Sequence, residues 1–251
     1  MPDTMKRIGS WVLWTLATIG LGLTVLAPDG VVHALVNNRL GMQRAMAMPW
    51  IALYIDHAVM TLVALGLIAL LSKGRFGDYG LQRPQGKSYI VASIVWGAIF
   101  GIVMTVADYL PSLLAHKPPE NYPLTSVNIT GWLSFQFIYV GFTEEIPFRG
   151  LLQTFLMQRT TGHIRIGSYD MHAAGVVLAV LFALAHLGSF WSRPFWFAFA
   201  QQVYAIGLGI LYAYWREKSG SLSAAIIGHK VRLLVMEAAV WRPKRFSTRP
   251  V

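Results

Sequence analysis

The chain has 251 residues, of which 55% are hydrophobic and only 13% are charged. Soluble globular domains carry about 25% charged residues, so this composition excludes an ordinary water-soluble domain and predicts a membrane protein. The absence of cysteine excludes disulfides, thiolate metal sites and a cysteine nucleophile. The formal net charge is +10. Because the basic residues stand in short loops beside apolar runs, and no nucleic-acid motif accompanies them, no nucleic-acid partner is expected.

Three apolar runs in the first half of the chain are long enough to cross a bilayer, which takes about 20 residues. They cover residues 8–27, 49–71 and 89–110. Pro28 is expected to end the first span, together with the Asp and Gly that follow it. The loop 72–88 is rich in Lys and Arg and therefore indicates the cytoplasmic side. Asp56 and His57 are expected at the interfacial end of the second span, as ordinary polar residues, with a functional role as the alternative.

Four further apolar runs follow in the second half. They cover residues 127–157, 171–187, 195–215 and 221–240. A second basic loop is expected around residues 159–165. Pro147 lacks an N–H and crowds the carbonyl of Thr143, which predicts a kink or a helix start just before the glutamates at 144 and 145. The sequence thus predicts an all-α, polytopic transmembrane helical bundle of about seven to eight spans. It forms one membrane domain, 1–251, with N-terminal spans in 1–125 and a core in 126–241.

Two adjacent carboxylates stand out, because ionisable groups within spans are costly, by about 2.5–3.5 kcal/mol at a helix centre, and often mark function. Glu145 and Arg149 are four residues apart and share one face of a helix. Arg149 is therefore expected to neutralise and orient Glu145. Glu144, rotated by about 100°, is left free for acid-base work. The alternative is a solvated charged helix end at the membrane interface.

Two histidines in later spans are further candidates. His186 lies one helical turn after Phe182, whose ring can fix the imidazole. A histidine with a pKa near neutrality can serve as base, hydrogen-bond donor or metal ligand. His229 follows Gly228, which allows a neighbouring helix to approach closely. For each histidine alone, the alternative is an interfacial side chain bonded to a carbonyl.

The order of these groups resembles the type II CAAX prenyl endopeptidase family, also called the CPBP family, which includes bacteriocin-processing and Abi proteins. The stretch Glu145-Ile-Pro-Phe-Arg-Gly-Leu-Leu-Gln is similar to the first block of the family. Residues 202–220, ending near Lys-Ser-Gly-Ser-Leu, resemble its approach to the last histidine. The resemblance covers about residues 130–234, and the first half of the chain matches only as apolar spans.

This resemblance implies an intramembrane endopeptidase in which Glu144 activates water. His186 would share that water or bind a metal, and His229 would help to bind the water or stabilise the oxyanion. The implied catalytic group is Glu144, Glu145, His186 and His229, supported by Arg149 and Phe182. The family has been described both as metal-dependent and as metal-independent. A zinc ion on Glu144, His186 and His229 is therefore one possibility, and a glutamate protease without a cofactor is the other.

One departure from the family keeps other functions open. The family usually places Asn or Asp four residues after the last histidine, where this chain has Leu233. Loss of an oxyanion donor could cost about 3–4 kcal/mol of transition-state stabilisation, and Arg232 is the candidate to replace it. The alternatives are a weak or inactive scaffold, binding or immunity protein in a membrane complex, and a transporter or proton pathway.

The expected partners follow from the membrane setting. They are membrane lipid and either a hydrophobic or membrane-anchored peptide substrate or a membrane-complex partner. The expected location is a bacterial inner membrane, with the active site near the cytoplasmic side. Glu144, His186 and His229 are expected to converge on one cavity.

Overall fold

Helices dominate the structure, a computed structural model that describes residues 2–41, 47–114 and 125–240. The first half contains α1 (Pro2–Leu40), α2 (Trp50–Ser72), a 3₁₀ turn (Phe76–Tyr79) and α3 (Ile90–Leu114). Among the described residues, five helical segments are long and apolar enough to cross a membrane. They are Thr4–Val36, Trp50–Ser72, Ile90–Tyr109, Ala173–Ser192 (two helices joined by a short turn) and Phe195–Ser219. The predicted polytopic membrane fold is confirmed, whereas the number of spans stays a prediction.

The prediction that Pro28 ends the first span was wrong. Helix α1 continues through Pro28 to Leu40. A proline inside a helix removes one backbone hydrogen bond and crowds the preceding turn. Membrane helices tolerate this loss, because neighbouring groups can satisfy the freed carbonyl. A single proline in a long apolar helix is therefore a weak stop signal.

The second half begins with an unbroken helical stretch, residues 126–157, in which regular and π-helical segments alternate. Its parts are α4 (Ser126–Ser134), a π segment (Phe135–Tyr139), α5 (Val140–Glu145), a second π segment (Ile146–Gln153) and α6 (Thr154–Met157). The helix does not start at the glutamates. Instead, Pro147 falls at the beginning of the second π segment, where the wider turn relieves the crowding that a proline ring causes in a regular helix.

A short hairpin occupies part of the region predicted as a basic loop. Strands β1 (His163–Ile166) and β2 (Tyr169–His172) pair antiparallel, with Ile166 opposite Tyr169. The two-residue turn between them starts at Gly167, whose φ of +61° favours glycine. Polar and apolar residues alternate before this turn, and that period of two is the strand signal that the sequence reading overlooked.

The remaining helices complete the bundle. They are α7 (Ala173–Leu184), α8 (Ser189–Ser192), α9 (Phe195–Ser219) and α10 (Ser223–Val240). Helix α10 lies close against α3, since a Cβ atom added to Gly97 would stand 2.6 Å from the carbonyl oxygen of Gly228. The close helix approach expected at Gly228 is therefore present. The division into 1–125 and 126–241 stays a prediction, but the two halves share this tight contact.

Candidate active site

The two adjacent glutamates of α5 have different surroundings. Glu145 is fully buried, and its Oε1 atom accepts hydrogen bonds from Arg149 Nη1 at 3.4 Å and from His229 Nδ1 at 3.0 Å. The side chain of Glu144 is 18% exposed, and its Oε2 atom lies 3.7 Å from His229 Nε2. The structure therefore commits Glu145 to internal partners and leaves Glu144 as the more accessible carboxylate.

Aromatic rings surround the guanidinium of Arg149. Its guanidinium carbon lies 4.2 Å from the ring centroid of Phe182 and 5.6 Å from that of Tyr212. Arginine is attracted to the faces of aromatic rings, the more so when it is removed from water. Phe182 also packs edge-on against His186, with ring centroids 4.8 Å apart. One phenylalanine thus contacts both the supporting arginine and a candidate catalytic histidine.

Glu144, His186 and His229 converge on one cavity, as the sequence led us to expect. This main cavity has a volume of about 410 Å³. Among the side chains around it are the three just named, together with Gln201, Tyr204, Tyr212 and Arg232. A carboxylate, two imidazoles and a guanidinium therefore face a common space large enough for several atoms of a bound chain.

One hydrogen bond of the His186 ring fixes its tautomer. Its Nδ1 atom lies 2.8 Å from the carbonyl oxygen of Phe182. A carbonyl only accepts, so Nδ1 carries the hydrogen, and Nε2 of the neutral ring is an acceptor. At the cavity wall, Nε2 is suited to accept a hydrogen bond from water that Glu144 also holds.

His229 is held from both sides. Arg232 Nη2 lies 2.8 Å from its Nε2 atom, and because a guanidinium only donates, Nε2 accepts. The hydrogen on Nδ1 is then donated to Glu145. Both ring nitrogens have protein partners, so His229 links the buried glutamate to Arg232.

The arrangement does not fit a zinc ion on Glu144, His186 and His229. A histidine ligand needs a free nitrogen lone pair, and that of His229 accepts from Arg232. The guanidinium would also repel a cation at this point. Within residues 2–41, 47–114 and 125–240, no three His, Cys, Asp or Glu side chains are placed to hold one metal ion.

Leu233 takes the place of the family's usual polar residue, and it is 7% exposed. It packs with Phe135 and Val140 and lines the main cavity. Arg232, one residue earlier, also lines that cavity, and its Nη1 atom lies 3.7 Å from the sulfur of Met104. Arg232 therefore places a charged hydrogen-bond donor on the cavity wall next to the apolar Leu233.

The sequence reading missed the part of the site that the first half supplies. Asp56 is 2% exposed, and His57 lines both the main cavity and an adjoining one of about 140 Å³. Glu144 and His186 line the same two cavities. These contacts favour the functional alternative for the pair, because α2 packs against residues 126–157 here and His57 is hydrogen-bonded to Thr143, whereas the interfacial position stays a prediction. The signal was present: two adjacent ionisable residues within an apolar span.

A second polar contact connects α3 with α9 at the cavity wall. The hydroxyl of Tyr204 donates to Asp108 Oδ2 at 3.2 Å, and both residues are buried. Asp108 was not singled out from the sequence, since it falls near the end of the predicted third span. The first half of the chain thus contributes His57 and Asp108 to the lining of the main cavity.

Comparison with known protein families gave a match in the second half of the chain. No curated protein and no solved structure gave a significant match to the chain. The model of one protein family, described as type II CAAX prenyl endopeptidase Rce1-like, matches residues 126–232. The matched segment contains Glu144, Glu145, His186, His229 and Arg232. This part of the chain is therefore similar to the Rce1-like family of type II CAAX prenyl endopeptidases, which supports an intramembrane protease as the general class of function.

Proposed function

We propose that this protein is an intramembrane endopeptidase that hydrolyses a peptide bond in a hydrophobic or membrane-anchored peptide. The observation that carries the proposal is the unequal environment of the two glutamates. Glu145 is fully buried between Arg149 and His229, whereas Glu144 faces the cavity. A carboxylate that must take a proton from water needs access to that water, and Glu144 meets this requirement.

In this mechanism Glu144 acts as general base. It takes a proton from a water molecule whose other hydrogen is held by Nε2 of His186. The water oxygen then attacks the carbonyl carbon of the substrate. Glu145 does not exchange protons with the substrate. It orients His229, and through that histidine it orients Arg232.

Arg232 stabilises the oxyanion. Its Nη2 donates a hydrogen bond to His229, and its Nη1 lies near the sulfur of Met104. The guanidinium lines the cavity, and so does the neighbouring residue Leu233. A charged donor that is already oriented in a largely water-excluded site is worth more than the same donor in water. Arg232 therefore replaces the amide that the family usually supplies from the next position.

The site lies toward the basic loop 72–88, which we assign to the cytoplasmic side of a bacterial inner membrane. Leu222 donates its backbone N–H to the carbonyl of Gly80 in that loop. His229 follows Leu222 by seven residues of helix, or about 10 Å at 1.5 Å per residue. A substrate anchored in the cytoplasmic half of the bilayer can reach such a site. Zinc has no role in this proposal, because the donor set does not suit it.

The test is hydrolysis of a library of membrane-anchored peptides by purified protein in lipid vesicles. Wild type is compared with Glu144→Gln and His186→Gln, each with and without a chelator. We expect cleavage by wild type, loss in both variants and no effect of the chelator. Cleavage that survives in Glu144→Gln would refute the assignment of the base.

Leu233 favours one competing function, a catalytically inactive scaffold or immunity protein in a membrane complex. Its apolar side chain packs where the family usually has an oxyanion donor. The variant Leu233→Asn separates the two functions. If wild type cleaves no peptide and Leu233→Asn does, the natural chain is an inactive member that kept the fold and binds a partner in its cavity.

A further inference from the structure

His57 of α2 is the third histidine at the candidate site, and it lies outside the segment that matches the family. Its ring lines both cavities that contain Glu144 and His186. It is close enough to the Glu144 carboxylate for electrostatic interaction, as are His186 and His229. Its Nδ1 atom lies 2.8 Å from the hydroxyl oxygen of Thr143, the residue that precedes Glu144. One short contact thus ties α2 to the backbone segment that carries the proposed base.

The partner of His57 differs in kind from those of the other two histidines. His186 is bonded to a carbonyl, which only accepts, and His229 is bonded to a guanidinium, which only donates. A hydroxyl can do either. The Thr143 hydroxyl also lies 3.2 Å and 3.3 Å from two backbone carbonyls of its own helix, to which it can give its hydrogen. It therefore holds His57 in place whether the ring is neutral or protonated.

The Nε2 atom of His57 is the free end of the ring. Within the described residues, no hydrogen-bond partner contacts it. His229 has both nitrogens occupied, and His186 is suited to holding water. His57 combines a free nitrogen, a place beside Glu144 and an anchor that accepts its Nδ1–H in both charge states, and unlike His186 it is not needed to hold the attacking water. These are the properties of a residue that accepts a proton and later donates it.

We propose that His57 is a further catalytic residue, which protonates the leaving amine. The inference rests on the endopeptidase function proposed above. Glu144 takes a proton from water as the water oxygen bonds to the carbonyl carbon and the carbonyl electron pair moves onto oxygen. That proton passes from Glu144 to Nε2 of His57, and the resulting imidazolium keeps its Nδ1–H on Thr143. When the C–N bond breaks, Nε2 gives the proton to nitrogen, the carbonyl reforms, and both side chains return to their starting states.

The test compares a cleaved peptide with its ester counterpart, in which oxygen replaces the scissile N–H. An alkoxide leaves with much less need of a proton than an amide nitrogen does. We therefore expect His57→Gln to lower kcat on the peptide about 100-fold, the scale of general acid catalysis, and to lower kcat on the ester less than about tenfold. KM should stay close to that of wild type. Glu144→Gln, by contrast, should lower kcat on both substrates.

Two further variants serve as controls. His163→Gln removes an exposed histidine of the hairpin, whose side chain is 54% accessible, and should leave both rates unchanged. Thr143→Val keeps the side-chain shape but removes the hydroxyl anchor, so it should lower peptide cleavage in the same direction as His57→Gln. Thr143→Ser keeps the hydroxyl and should retain activity. Thermal unfolding of each variant separates these effects from loss of folded protein.

Three results would overturn the assignment of His57. Equal losses on peptide and ester would make it a structural residue. Wild-type rates in His57→Gln would remove it from the site. A raised KM with unchanged kcat would make it a binding contact. If wild type cleaves neither substrate although folded, the endopeptidase function fails and the role of His57 falls with it. If Glu144→Gln is inactive and His57→Gln is normal, only the role of His57 falls.

Discussion

The two halves of this membrane protein both contribute to the candidate site, but only the contribution of the second half lies in the segment that matches a protein family. Residues 126–232 match a protease family and carry Glu144, His186 and His229. The described helices of the first half lie outside that match, yet α2 places His57 on the cavity wall and α3 packs tightly against the helix of His229. A family match over part of a chain can therefore contain the candidate base, here Glu144, without containing all the residues that line its cavity. A helical bundle builds its cavity from whichever helices surround it.

The largest expected effect lies within the second half, at the two glutamates. Glu144→Gln should lower hydrolysis about 10³- to 10⁴-fold and leave the thermal unfolding temperature close to that of wild type. Glu145→Gln weakens a buried ion pair and should destabilise the fold by about 3–5 kcal/mol. Turnover and thermal unfolding of both variants in detergent check this. An active Glu144→Gln, or a Glu145→Gln as stable as wild type, would contradict the division of labour.

Arg232 comes next. Arg232→Met keeps a long side chain but removes the donors, and should lower kcat about 10²- to 10³-fold, or about 2.7–4 kcal/mol, as expected for loss of an oxyanion donor. Arg232→Lys keeps the charge but lacks the planar guanidinium, so its kcat should lie between those of Arg232→Met and wild type. Steady-state kinetics on a cleaved peptide separate kcat from KM. An unchanged kcat in Arg232→Met would move oxyanion stabilisation to another group.

The contact between the halves can be broken at one glycine. A Cβ atom at Gly97 would meet the backbone of Gly228, and backbone cannot yield as a side chain can. Gly97→Ala should therefore destabilise the protein by about 1–3 kcal/mol, as overpacking does, and lower activity by moving α10. Gly66→Ala is the matched control, since a Cβ atom there meets nothing within 4 Å. Equal unfolding temperatures for the two variants would show that the halves are not tightly coupled here.

The smallest expected effect concerns the polar contact of α3 with α9. Tyr204→Phe removes the hydroxyl that donates to Asp108. It should lower the free energy of unfolding by about 1–2 kcal/mol, because a buried acceptor loses its donor, and change turnover only slightly. Thermal unfolding and peptide cleavage measure the two quantities. A loss of turnover as large as that of Arg232→Met would instead place Asp108 in the chemistry.

The sequence determined the membrane class and the pairing of Glu145 with Arg149. An apolar composition leaves too little polar surface for a soluble fold, and a spacing of four residues puts two side chains on one helix face. Those are local properties of the chain. The same local rules failed at Pro28, where a long membrane helix tolerated a proline, and at the hairpin, whose short alternating strands were read as a loop.

The tertiary structure alone decided what surrounds the proposed base. His57 lies 86 residues from its partner Thr143, and no periodicity along the chain states which face of α2 meets residues 126–157. The tautomer of His229 likewise depends on its hydrogen bonds, from Arg232 to Nε2 and from Nδ1 to Glu145. Tautomers, cavity walls and the poor fit for zinc follow from contacts between helices. Such contacts depend on packing across the bundle, whereas composition and helical spacing describe one segment at a time.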